Sequence, residues 1–144
     1  MKKLLLMILF LAGGIAAYAQ GGVVNVKVTN VEADKGGSIN LALYGKVGFL
    51  ENGKELFVKT VKVTGEEAIA QFEAIPAGAY AVAVYQDINE NNNLDTKILG
   101  IPKEPVGFSK NKMGKMGPPD FDEVAFNLES GESKSLTIKM KNGN

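Results

Sequence analysis

The sequence predicts an all-β fold, and three observations carry that prediction. Apolar residues recur at every second position in several short runs, and glycine, proline or asparagine punctuates the intervals between them. No segment sustains an apolar stripe at the 3.6-residue period of a helix. Val24, Val26 and Val28 alternate with polar neighbours, as do Ile39, Leu41 and Leu43 beyond the turn signal Asp34-Lys35-Gly36-Gly37. Each run places one face on a core, as antiparallel strands do. Next, the stretch Phe49 to Phe57 predicts a hairpin turning at Asn52-Gly53, its second strand continuing through Val61-Lys62-Val63. Ala68 to Phe72 reads as a short strand and Ile75-Pro76-Ala77-Gly78 as a turn. Ala79 to Tyr85 then alternates alanines with larger residues, as a central strand would. Val124 to Leu128, a turn at Ser130-Gly131-Glu132, and Ser135 to Met140 close the chain with two more strands. About seven strands and no obligatory helix make a single-domain antiparallel β-sandwich of the immunoglobulin or transthyretin kind.

Residues 1–19 read as a secretory signal peptide. Lys2 and Lys3 precede the apolar run Leu4 to Leu11, and Ala17-Tyr18-Ala19 supplies the small-residue site for cleavage before Gln20. The apolar run is shorter than the ~20 residues of a spanning helix, and Gly13-Gly14 weakens it further, so stable membrane insertion after cleavage is not expected. No cysteine follows it to carry a lipid anchor. The expectation is an exported protein, periplasmic or extracellular, with residues 20–144 as one domain.

Composition narrows the chemistry. Without Lys2 and Lys3, 14 lysines face 16 acidic residues, a formal net charge of −2, so no global field draws the chain to nucleic acid or anionic membrane. There is no cysteine, histidine, tryptophan or arginine. The core must therefore stand without disulfides, and Ser-His-Asp catalysis, the commonest zinc ligand and bidentate phosphate clamps are absent together. Carboxylate-only chemistry survives this exclusion.

The acidic loop after the central strand is the strongest candidate site. From Asp87, the residues Asn89, Asn91, Asn93 and Asp95 place oxygen-bearing groups at positions one, three, five, seven and nine of an EF-hand-like loop. Alternate oxygens on a tight loop are what calcium requires, with Asn93 offering its carbonyl. Asn92 replaces the usual glycine at six, which asparagine's tolerance of left-handed backbone makes mild. Ile98 replaces the bidentate glutamate at twelve, so further ligands must come from elsewhere, with Glu104 and Asp120 as candidates. Two carboxylates in ligand positions suggest a dissociation constant of ~0.1–1 mM. The competing reading is a metal-free turn in which Asx side chains satisfy their own backbone.

The run from Gly78 to Asn91, with Leu94-Asp95, the stretch Leu99-Gly100-Ile101-Pro102-Lys103-Glu104-Pro105-Val106-Gly107-Phe108-Ser109 and Gly117-Pro118-Pro119-Asp120-Phe121, resembles the bacterial family catalogued as domain of unknown function 2141. The resemblance covers most of the chain after the leader. It implies a small exported β-sandwich, from a Gram-negative bacterium, and brings no established activity. Members often carry histidine just before the aspartate and Asn-Gly within the loop, where this chain has Gln86 and Asn91-Asn92.

Residues 96–121 are expected to form a long loop without regular structure, and loops of that length are often functional. Lys97, Lys103, Lys110, Lys112 and Lys115 could form an anion-binding rim for a glycan or a phosphate-bearing surface polymer, or serve only as solvated charge, and the partner expected at residues 96–121 is a glycan or an envelope protein. Phe108 and Phe121 are expected to anchor the loop on the sandwich. The functional expectation is a non-catalytic calcium-binding module; the alternatives are a metal-free structural or assembly module and a glycan-active enzyme using paired carboxylates.

Overall fold

The computed structural model describes residues 19–142, so all but the last residue of the predicted signal peptide lies outside it. Among the described residues, eight strands form two facing sheets. β1 (Gly22–Thr29), β4 (Glu67–Ile75) and β8 (Ser133–Lys139) make one sheet in the order β4-β1-β8. The other runs β3-β2-β5-β6, from β2 (Ser38–Tyr44), β3 (Phe57–Lys62), β5 (Gly78–Asp87) and β6 (Val106–Phe108). β7 (Phe126–Leu128) pairs with Gly78–Tyr80 at the start of β5. The protein is an all-β sandwich, as its alternation predicts. β5 is central, as expected.

The core follows from that alternation. Val24, Val26, Val28, Phe72 and Ile138 of the first sheet meet Ile39, Leu41, Leu43, Val82 and Val84 of the second. Each fully buried side chain of this size contributes about 1.5–3 kcal/mol relative to exposure. A second apolar cluster of Ala81, Val106, Phe108, Phe121 and Val124 lies outside the main core. It holds the long loop, with Phe108 and Phe121 buried within it.

Four differences from the sequence-based expectation have physical causes. The pairing of β1 with β8 is parallel, Val26 standing opposite Leu136, whereas every other pairing among the described strands is antiparallel. The two strands are 103 residues apart from Thr29 to Ser133 along the chain, so no hairpin constrains their direction. The hairpin about Asn52-Gly53 does not form. Phe49 turns inward to pack edge-to-face on Tyr44 and Phe121, at 5.7 and 5.5 Å, and Leu50 takes a left-handed φ of 62°, so the first arm is not extended.

The remaining two differences lie in the 96–121 stretch and just beyond it. It contains β6, which pairs with Ala83–Tyr85 of β5. Ser109, fully buried, accepts the Val82 N–H at 3.1 Å and donates to the Val124 carbonyl at 2.6 Å, filling the ladder where β6 ends. A single-turn helix, α1 (Phe121–Val124), takes Val124 from the strand expected there. Among the described residues no helix is long and apolar enough to cross a membrane.

Candidate functional site

Strand alternation at the end of β5 sends Gln86 and Asp87 to opposite faces. Gln86 is fully buried and ties β5 to the 32–36 turn: its Oε1 accepts the Glu32 N–H at 2.9 Å, and its Nε2 donates to the carbonyls of Glu32 and Gly36. The Gln86 side chain is thus spent on that turn, away from the acidic loop. Asp87, 1% exposed, faces the loop. Its Oδ1 accepts the Asn91 N–H at 3.1 Å and its Oδ2 the Asn92 N–H at 2.8 Å. Asn92 has φ 61°, the left-handed turn that glycine would otherwise supply.

The other expected ligands form a chain of Asx turns. Asn89 accepts the Asn91 N–H at 3.3 Å, and Asn91 accepts the Asn93 N–H at 2.9 Å. Asn89 and Asn91 also donate their amides to the two oxygens of Asp95, at 2.7 and 3.2 Å. Asn93 donates its amide to the Asn91 carbonyl at 2.9 Å. Glu90, between them, accepts from Ser38 at 3.0 Å and pairs with Lys62. Those two partners, Lys62 first, hold its carboxyl below the usual range.

Glu104 closes the loop from outside it. Only 4% exposed, it accepts the Ile88 N–H through Oε1 at 2.8 Å and the Asp95 N–H through Oε2 at 3.0 Å. Of the two extra ligand candidates, the structure brings Glu104 to the acidic loop. Asp120 stands instead at the start of α1, its N–H donating to Glu123 at 3.1 Å. Among the described residues no three carboxylates converge tightly enough to hold a metal by themselves. Any cation here must draw on asparagine or backbone oxygens as well.

The structure also shows a site that strand periodicity did not disclose. The outward face of β2 and β5 floors a cleft of about 1050 Å³, overhung by the segments 99–102 and 114–118. Ala42 stands opposite Ala83 at the centre of this floor. The adjoining row is polar, with Thr60 and Tyr85 on either side of Asn40. Thr60 donates to Asn40 Oδ1 at 2.7 Å, and Asn40 donates to Asp87 at 3.4 Å, which joins the cleft to the acidic loop. Burial raises the Tyr85 phenol above its ordinary value; a hydrogen bond with Asn40 opposes this, and the charges of Asp87, Glu104 and Glu55 add to it. The five lysines of the long loop are all exposed.

The model of the DUF2141 family, described as an uncharacterized protein conserved in bacteria, matches residues 26–136. The chain belongs to this family. The match begins within β1 and ends within β8, so a DUF2141 domain comprises both sheets, the acidic loop and the cleft. No curated protein and no solved structure matches the chain. For this DUF2141 protein, chemistry must therefore be argued from the site alone.

Proposed function

We propose that the protein is an exported, non-catalytic binding module whose acidic loop takes up calcium. The observation that carries this reading is the pair of buried carboxylates at the loop's root. Asp87 and Glu104 accept only neutral donors, and among the described residues neither has a lysine within salt-bridge distance. Buried charges are ordinarily paired with an opposite charge or set on a metal. A hard dication would supply the missing positive charge, and a half-turn of the Asn89 and Asn91 amides would exchange nitrogen for oxygen beside Asp95.

Catalysis is the weaker reading of the same residues. Glycoside hydrolysis needs one carboxyl free to give a proton and another free to attack or to activate water. Here Asp87 and Glu104 are both engaged as anchors for backbone N–H groups. Export is supported by the leader pattern, and by the fold taking hold at Gln20, whose carbonyl accepts from Ser130 at 3.0 Å and Gly131 at 2.7 Å.

One observation favours a metal-free structural module instead: the polar side chains of the loop are already satisfied by one another and by backbone. Thermal unfolding in chelator, then in calcium or magnesium, separates the two. A dissociation constant of ~0.1 mM at ~1 mM calcium gives about 1.4 kcal/mol, a rise of roughly 3–6 °C for a domain of this size. The rise is expected for calcium over magnesium and is expected to vanish in Asp95→Ala, whose side chain meets only the two asparagine amides. An unchanged midpoint in calcium overturns the metal and leaves the structural module.

A further inference from the structure

The cleft on the outer face of the β3-β2-β5-β6 sheet has a floor, walls and polar groups of its own. Its floor is unusually low. Ala42 and Ala83 pair at the middle of the sheet, with Val58 and Phe108 beyond them in the same row, so two methyl groups lie where large side chains would normally seal the face. The overhanging segments leave about 1050 Å³ above that trough, at the upper end of the range for small-molecule sites.

The rim is apolar in a place where a solvated loop would be polar. Six of the ten exposed large apolar side chains among the described residues lie between Leu94 and Met116. Leu99 is 92% exposed and Met116 is 101% exposed; both line the cleft, as does the half-exposed Ile101. Clustered apolar exposure of this kind marks a surface that is covered in use. Among the described residues that line the cleft, no aromatic ring lies fully open as a stacking platform, because Tyr44 and Phe108 are buried and Tyr85 is half-buried, which disfavours a sugar.

The polar row selects the head of the occupant. Asn40 already accepts from Thr60, and Tyr85 carries a phenol hydroxyl, so the row presents uncharged donors and acceptors. The carboxylate of Glu55 lines the cleft. Lys115 at the rim is exposed and screened by water. With Glu55 set against this single lysine, an anionic head would meet no net positive charge.

We infer that this cleft binds a neutral amphiphile, an aliphatic chain between Leu99, Ile101 and Met116 with a hydroxyl- or amide-bearing head on Asn40, Thr60 and Tyr85. The test uses protein purified from cells expressing the full chain and the fluorescent apolar probe N-phenyl-naphthylamine, displaced by monomeric monolauroylglycerol, by dodecanoate or by a soluble cello-oligosaccharide. Saturable probe binding is expected, with monolauroylglycerol displacing it at least about tenfold better than dodecanoate at pH 8 and the oligosaccharide not at all. Ala83→Phe fills the trough and is expected to abolish probe binding. Should that variant fail to fold, Leu99→Ser with Met116→Ser alters only exposed side chains and is expected to weaken binding about tenfold or more. Absence of saturable binding overturns the proposal, as does equal displacement by dodecanoate, displacement by the oligosaccharide alone, or full binding by the filled or rim variants.

Discussion

At the scale of single residues, Tyr44 shows how one buried phenol couples stability to pH. Its ring is 7% exposed, and burial, with Glu55 next in importance, lifts its pKa from 10.0 to about 12. The unfolded chain therefore loses this proton first. The contribution is complete below pH ~10 and is lost as pH rises to about 12. Stability of the wild type is expected to fall more steeply than that of Tyr44→Phe across this window. Urea midpoints measured against pH check it, and parallel profiles refute it. Tyr80 and Tyr85, which burial also raises, and Lys35, which Glu32 raises, contribute to the remaining slope in the variant.

At the scale of elements, Glu104 is the clasp that joins the acidic loop to the segment leading into β6. It holds two backbone N–H groups, at Ile88 and Asp95, and beyond it Lys103 donates its N–H to the Asp95 carbonyl at 2.8 Å. Glu104→Ala is expected to cost roughly 2–4 kcal/mol, because it leaves two part-buried donors without partners. It should also speed tryptic cleavage after Lys97 and Lys103, with Glu104→Gln intermediate on both readouts. Cleavage at the wild-type rate in the alanine variant would show that the clasp is dispensable. The carboxylates of this region were legible in the sequence as acids at suggestive spacing. Their partners were not, because a backbone N–H is invisible in a residue pattern. Likewise β1, β2, β5 and β8 announce themselves by alternation over seven or more residues. β6 is three residues between Pro105 and Ser109, too short to display a period. The Asn52-Gly53 turn signal was real but local, and Phe49 found better burial on Tyr44 and Phe121 than in a hairpin arm. The cleft became visible only when register set Ala42 opposite Ala83, since either alanine alone reads as an ordinary strand residue.

At the scale of the whole molecule, the start of the described chain is held by the turn that leads into β8. Gln20 is held by Ser130 and Gly131, and Val23 donates its N–H to the Glu132 carbonyl at 2.8 Å. If the leader is removed where its pattern indicates, the exported product starts with a residue the fold already grips. Intact-mass measurement of periplasmic protein is expected to give a chain beginning at Gln20; retention of residues 1–19 refutes the export reading. The parallel pairing of β1 with β8 has a further consequence, which concerns time. β1 is synthesised early, yet one of its two edges stays bare, and the core lacks Ile138 and Met140, until the last strand has left the ribosome. Such long-range closure makes for slow folding. A nascent chain is therefore expected to stay unfolded until its C-terminal strand has been delivered.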